Sequence, residues 1–165
     1  MALQPGSSAP DFDLPARGDG RDHVSLGTLT ENRPALLAFF KTSCPTCQLS
    51  FPVWGELARR YGQKVAVAGV AQDPLEVARP WLDERGFDAP ALDDSDGFGV
   101  SGAYGLATVP TLVLIGGDGR VMAASEGWDR DRANAWDAEL AELCGQSSPG
   151  PLSTAEDGLP PHKPG

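Results

Sequence analysis

The chain has 165 residues, of which 41% are hydrophobic and 22% are charged, values typical of a soluble globular protein with a single core. Its 23 acidic and 13 basic residues give a net charge of −10, the wrong sign for a surface that binds nucleic-acid phosphates. Three cysteines are too few, and odd in number, for a disulfide scaffold. We therefore expect one domain and no nucleic-acid partner.

The N-terminal residues 1–6 contain neither a basic region nor an apolar run, so we expect no signal peptide. No stretch approaches the roughly 18 apolar residues of a membrane-spanning helix, so we expect no membrane association. These expectations place the protein in the cytoplasm. In that reducing compartment, two cysteines separated by two residues are typical of a catalytic or metal-binding pair.

The N-terminal part of the chain predicts a β-hairpin. Residues 9–14 alternate between apolar and polar like a short strand, the turn residues 18–20 follow, and residues 23–26 return as a second strand. Residues 26–29 then predict one helical turn.

The central part predicts a buried strand followed by a helix. The apolar run Ala35 to Phe40 is short enough for a strand buried on both faces, and the polar turn 41–43 leads into Cys44-Pro45-Thr46-Cys47. Apolar residues then recur at every fourth position, which is the spacing of one helix face. They are Leu49, Val53, Leu57 and Tyr61.

Two further elements follow in the middle of the chain. Residues 65–71 predict a second buried strand. Asp73-Pro74 can cap and begin a helix that stops at Gly86, and Pro80 inside it should kink or divide that helix.

The last third predicts a short helix, a hairpin and a final helix. Residues 97–104 form the short helix, 111–115 and 121–126 pair through the Gly-rich turn 116–119, and Asp129 to Cys144 form the last helix. The core face of that helix is expected to contain Ala133, Trp136, Leu140 and Leu143.

The C-terminal segment, residues 145–165, has five prolines, four glycines and only two leucines. Such a segment buries too little apolar surface to offset the entropy cost of ordering, so we predict a disordered tail after a domain spanning residues 1–144. Strand–helix–strand units joined to an antiparallel hairpin predict an α/β fold with a central mixed sheet, helices on both faces and an N-terminal hairpin extension.

The cysteine pair lies where the buried strand gives way to the helix N-terminus. Unpaired N–H groups at a helix start stabilise negative charge, and cysteines placed there can have their pKa lowered into roughly the 3.5–7.5 range. Pro45 suits the first helical position, so Cys44 lies just outside the helix as the attacking sulfur. Cys47, inside the first turn, can then resolve a mixed disulfide by attacking Cys44.

These features resemble the thioredoxin superfamily, in particular its TlpA/ResA-like thiol–disulfide oxidoreductases and the redoxin, or AhpC/TSA, type. The resemblance spans residues 1–144. The matching stretches are 5–12, 37–40, Cys44 to Cys47, Pro52, 104–105, Val109-Pro110-Thr111 and 118–121.

The resemblance implies roles for single residues. Cys44 resembles the nucleophile and Cys47 the resolving thiol, within a motif completed by Pro45 and Thr46, whose hydroxyl is expected to face the thiolate. Val109-Pro110 resembles the family's cis peptide beside the dithiol, where the backbone of Val109 can pair with a substrate strand. The implied partners are a disulfide-containing protein substrate, reduced rather than oxidised, and a thiol electron donor, with no cofactor and no metal.

Several positions depart from the family pattern. Ser43 stands where relatives usually carry Trp, Ser50 where ResA-like members often have Glu, and Ala38 where thioredoxins have a buried acid. The sequence therefore shows no carboxylate to take the proton from Cys47.

A thiol peroxidase of the peroxiredoxin type is the first alternative, since it shares the fold and the Ala-Pro-Asp-Phe opening. That chemistry requires Thr or Ser three residues before the attacking cysteine, where this chain has Lys41.

Metal binding is the second alternative, but tetrahedral zinc needs four ligands and the other candidates, Cys144, His23 and His162, are remote in sequence.

The third alternative is a binding module that kept the fold and lost redox turnover.

Overall fold

A computed structural model describes residues 3–18 and 20–165 of the chain. Its strands are β1 (Asp13–Arg17), β2 (His23–Ser25), β3 (Ala35–Phe40), β4 (Ala66–Ala71), β5 (Ala91–Asp93), β6 (Thr111–Ile115), β7 (Val121–Glu126), β8 (Trp128–Asp129) and β9 (His162–Lys163). Its helices are α1 (Leu26–Thr30), α2 (Pro45–Tyr61), α3 (Leu75–Glu84), α4 (Gly99–Ala103) and α5 (Arg130–Cys144).

A seven-stranded mixed sheet runs in the order β2-β1-β5-β4-β3-β6-β7. Strands β3, β4 and β5 are mutually parallel, whereas β1, β6 and β7 pair antiparallel with their neighbours. The strands β8 and β9 form a separate antiparallel pair. The predicted mixed sheet is therefore confirmed, with the N-terminal hairpin β1–β2 extending one edge.

Strand β3 is buried on both faces because it lies between two hydrophobic cores. Leu36, Ala38 and Phe40 face a core shared with α2, α3 and α5. The alternate residues Leu37 and Phe39 face a second core that includes α1 and the end of α4. Helices therefore cover both faces of the sheet, as the uninterrupted apolar run predicts.

Three of the differences between the predicted elements and the structure lie before β6. The first strand begins at Asp13, because residues 6–9 bond instead to the segment 119–121. Strand β5 is not predicted, since three residues are too few to show an alternation. Pro80 does not divide α3, which runs unbroken from Leu75 to Glu84 with this proline on its exposed side.

Two smaller predictions also need comment. The expectation that Leu143 lies on the core face of α5 is wrong: Leu143 is 40% exposed, and the neighbouring Cys144 packs against the core at the end of this helix. The turn expected at residues 18–20 includes Asp19, which lies outside the described residues. No helix within residues 3–18 and 20–165 combines the length and apolar character needed to cross a bilayer.

The C-terminal segment is folded onto the domain, in contrast to the disorder that its composition predicts. Strand β9 pairs with β8, and the indole Nε1 of Trp128 donates to the Pro160 carbonyl oxygen at 2.7 Å. The Arg130 guanidinium donates to the Leu159 carbonyl oxygen at 2.6 Å, and the Leu159 side chain packs against the main core. The segment is therefore held by donors of the domain, which its own composition does not reveal, and prolines reduce the entropy that ordering removes.

A buried carboxylate joins the start of this segment to two helices. Asp137 of α5 is 3% exposed and accepts hydrogen bonds from Arg60 at 2.8 Å, from the Tyr61 hydroxyl at 2.6 Å and from Ser148. Burial opposes the charged form of Asp137, but the bonds from Ser148, Tyr61 and Arg60 outweigh it and lower its pKa. Burial, followed by the bond to Asp137, raises the pKa of Tyr61 to about 12.

Replacing this carboxylate should destabilise the fold. We expect Asp137→Asn to lower the free energy of unfolding at neutral pH by about 3 kcal/mol, because it leaves the largely buried Arg60 without one counter-charge. Urea denaturation measures the difference, with Glu142→Gln at an exposed position of the same helix as the control.

The pH dependence of this difference provides a second check. A carboxylate whose folded-state pKa is lowered stabilises the protein above its unfolded pKa of about 4, and that stabilisation is lost as the pH falls through the folded value. The difference between the wild type and Asp137→Asn should therefore shrink in acid, and a difference independent of pH would contradict the assignment.

Candidate active site

Cys44 occupies the N-cap position of α2, between the turn that follows β3 and the first helical turn. Its Sγ accepts the backbone N–H of Cys47 at 3.1 Å, and Pro45 fills the first helical position, where no N–H is needed. The placement predicted from the strand–turn–helix pattern is thus confirmed. A sulfur in this position faces the positive end of the helix, which stabilises a thiolate.

The cis peptide between Val109 and Pro110 lies beside this sulfur. The Cys44 thiol donates to the Val109 carbonyl oxygen at 3.4 Å, although the two residues are 65 positions apart in the sequence. Pro110 is buried at the start of β6, while Cys44 and Val109 are partly exposed. The structure therefore places Pro110 beside the Cys44–Cys47 motif, as the family resemblance implies.

The two thiols differ sharply in their surroundings. Cys47 has no exposed surface, and burial, followed by a hydrogen bond with the Cys44 side chain, raises the pKa of Cys47 far above its usual range. Cys47 therefore stays protonated near neutral pH, whereas Cys44 can meet a reactant from solvent. All three cysteines of the chain are free thiols.

Asp73 is a residue of the site that the sequence reasoning missed. Its Oδ2 accepts the backbone N–H of Thr42 at 2.8 Å, and its negative charge is one of the smaller causes that raise the pKa of Cys47. A carboxylate therefore does lie near the dithiol, contrary to the expectation from Ala38. The position of Asp73 in the sequence could have indicated this, because Asp73 follows β4. The carboxyl ends of the adjacent parallel strands β3 and β4 meet at one sheet edge, which is also where the dithiol lies.

Thr46 does not have the role expected for its hydroxyl. Thr46 is 2% exposed, and its Oγ1 donates to the Pro164 carbonyl oxygen at 2.7 Å rather than to the Cys44 sulfur. The Thr46 carbonyl oxygen accepts from Ser50 Oγ at 2.8 Å. The hydroxyl of Ser50 is therefore bonded to the backbone of α2 and does not point to the dithiol sulfurs as a donor. Lys41 is exposed.

The remaining metal-ligand candidates are scattered. His23 lies 3.2 Å from Asp13 in the hairpin, and His162 lies 3.7 Å from Asp129, both at exposed positions. Cys144 is buried at the far end of α5, where burial raises its pKa. Within residues 3–18 and 20–165, no three His, Cys, Asp or Glu side chains come close enough to hold a metal ion.

A dithiol at the start of a helix, directly after a parallel central strand and next to a cis-proline, defines a thioredoxin-like thiol–disulfide oxidoreductase. The family model described as AhpC/TSA matches residues 5–124, and the chain belongs to this family.

Comparison with individual proteins agrees with this class. The chain is 29% identical over 140 residues to the thiol:disulfide interchange protein DsbE of Escherichia coli, covering 84% of this chain and 72% of that one. It is 32% identical over 125 residues to the thiol-disulfide oxidoreductase ResA of Geobacillus thermodenitrificans, covering 73% and 68%. A solved structure described as a DsbE-type interchange protein from Chlorobium tepidum superimposes with a TM-score of 0.76 at 25% identity, covering 87% of this chain and 100% of that one.

The asymmetry of the thiols predicts selective alkylation. With iodoacetamide at pH 8, we expect Cys44 of the native protein to react on the order of a hundredfold faster than Cys47 or Cys144, because the latter two are buried and protonated. Peptide mass spectrometry at timed quenches measures the three rates. In guanidinium the three rates should become similar, and equal labelling of Cys44 and Cys47 in the native protein would contradict the geometry.

Proposed function

We propose that this protein reduces disulfide bonds of protein partners, with Cys44 as the attacking thiol and Cys47 as the resolving thiol. The observation that supports this assignment is the position of the Cys44 Sγ: it is partly exposed, accepts the Cys47 N–H at 3.1 Å and caps α2. The family and the names of the relatives are consistent with this chemistry.

The first step is attack of the Cys44 thiolate on one sulfur of a partner disulfide. A bond forms between Cys44 and that sulfur, the partner's sulfur–sulfur bond breaks, and the second partner sulfur leaves as a thiolate that takes a proton from solvent. The positive end of α2 stabilises the attacking thiolate before the reaction and is available to the same sulfur if the mixed disulfide is reversed.

The second step is attack by Cys47 on the Cys44 sulfur. Cys47 must first lose its proton, and its thiolate then forms the Cys44–Cys47 disulfide and releases the reduced partner. Two electrons have moved from the protein dithiol to the partner disulfide. Because burial raises the pKa of Cys47, its deprotonation limits this step, and the carboxylate of Asp73 is the acidic group of the site placed to influence it.

Return to the dithiol requires a thiol electron donor, which reverses the same exchanges. The cytoplasmic location expected from the sequence favours net reduction of partners, since that compartment keeps dithiols reduced. Both the location and the direction are part of this proposal, and fractionation of cells followed by measurement of the in vivo redox state of Cys44 and Cys47 tests them.

The central experiment combines a disulfide-reduction assay with trapping. The wild type should reduce insulin with dithiothreitol as donor, and Cys44→Ser and Cys47→Ser should each lose at least about 99% of the dithiol-dependent rate. Cys47→Ser should accumulate a mixed disulfide through Cys44, which mass spectrometry identifies. Cys144→Ser is the matched control and should keep the wild-type rate, because Cys144 is remote from the dithiol.

Two outcomes would redirect the assignment. Trapping of the partner through Cys144 would overturn the assigned roles. Efficient consumption of peroxide by the reduced protein, abolished in Cys44→Ser, would favour the peroxidase alternative despite Lys41 at the position where that chemistry requires a hydroxyl.

The raised pKa of Cys47 predicts a pH-dependent lifetime of the mixed disulfide. Below that pKa, the thiolate fraction of Cys47 rises about tenfold for each pH unit. Between pH 6 and pH 8, resolution of the mixed disulfide should therefore become about tenfold faster for each pH unit. Rapid acid quenching and mass spectrometry measure the lifetime in the wild type. A lifetime that does not change with pH would show that proton loss from Cys47 does not limit resolution.

A further inference from the structure

The last residues of the described chain run across the entrance to the dithiol. The Pro160 carbonyl oxygen accepts from Trp128 Nε1 at 2.7 Å, the Pro161 carbonyl oxygen accepts the Arg130 N–H at 2.9 Å, and β9 pairs with β8. These contacts fix the direction of residues 160–163, which lead towards the start of α2. We refer to residues 160–165 as the C-terminal cap.

The tip of the cap contacts the residues that surround Cys44. The Thr46 hydroxyl donates to the Pro164 carbonyl oxygen at 2.7 Å. Gly165 lies so close to the loop before the cis peptide that a Cβ on it would clash with both Thr108 Oγ1 and the Val109 carbonyl oxygen. That carbonyl is the one to which the Cys44 thiol donates, so the cap covers the partner atom of the nucleophile.

We propose that the cap occupies the groove in which an extended segment of a disulfide-containing partner binds, and that the tip must leave before a partner reaches Cys44. This inference rests on the proposed function, because the partner is the disulfide substrate of the same site. An approaching disulfide must come within bonding distance of Cys44 and therefore needs the space beside Val109 and Thr46 that the tip fills.

The contacts of the tip indicate the kind of partner segment that fits. The cap binds as extended main chain, through its carbonyl oxygens and through pairing with β8, and the leucine that precedes it, Leu159, packs against the main core. Such recognition tolerates many sequences. The close approach at Gly165 leaves no room for a side chain against Val109, so the partner should present a small residue there.

The construction of the cap allows the tip to open while the rest of the segment stays folded. Pro164 and Gly165 are exposed, and one hydrogen bond, from Thr46, is described for their backbone oxygens. The bonds of Pro160 and Pro161 and the β8–β9 pair hold the preceding residues independently. Loss of one net hydrogen bond corresponds to a change of about fivefold in an equilibrium, so a closed tip of this kind is readily displaced.

Gly165→Val in the full chain tests the proposal, because its side chain cannot fit against Thr108 and Val109. In a Cys144→Ser background, the reaction of the dithiol with 5,5′-dithiobis(2-nitrobenzoate) should become about fivefold faster. The release of thionitrobenzoate measures this rate. Insulin reduction should rise by a similar factor. Ala155→Val is the control, since it places the same side chain at an exposed position of the same segment, and it should react like the parent.

A second variant that ends at Lys163 removes the tip while keeping the β8–β9 pair and the bond from Trp128. It should match Gly165→Val in both assays and keep the parent's melting temperature. Equal reaction rates in the parent and both variants would overturn the proposal.

The two assays separate this inference from the proposed function. If the variants react faster with the aromatic disulfide while no form of the protein reduces insulin, the cap is supported and the proposed function fails. If every form reduces insulin at one rate and the aromatic disulfide also reacts at one rate, the proposed function stands and the cap is overturned.

Discussion

The hydrogen bond from the Cys47 N–H to the Cys44 sulfur is the interaction on which the rest of the site depends. It exists because β3 is buried on both faces and delivers the chain to a fixed point, where α2 begins with a cysteine as its N-cap and a proline in its first turn. The same helix start buries Cys47, whose pKa rises as a result. One local geometry thus makes one sulfur available and keeps its neighbour protonated.

The sheet supplies the other half of the site. Because β6 pairs antiparallel with β3, its first residues lie at the edge where β3 ends, and the cis peptide of Val109 comes within 3.4 Å of Cys44. Parallel pairing of β3 with β4 brings Asp73 to that edge as well. The fold therefore gathers three separate stretches of sequence around the dithiol, and all three lie within the residues 5–124 that match the AhpC/TSA family.

The features that the sequence predicts well are local ones. The run Ala35 to Phe40 and the motif at Cys44 determine the strand, the turn and the helix start from neighbouring residues alone, while the cis peptide at Pro110 was expected only from family resemblance. Asp73 and the C-terminal segment depend on sheet order and on donors such as Trp128 and Arg130, which no local pattern contains. Composition therefore predicted disorder where hydrogen bonds from the domain impose order.

The C-terminal cap has no cysteine and so contacts the nucleophile's surroundings without being able to exchange with it. A ligand tethered to its own binding site is present at an effective concentration in the millimolar range, however dilute the protein is. The cap therefore lowers the reaction rate of the dithiol with small disulfides and with protein disulfides by a similar factor. Because closing is intramolecular, the fraction of molecules with an open dithiol is a fixed property of each chain, and dilution or crowding of the protein leaves it unchanged.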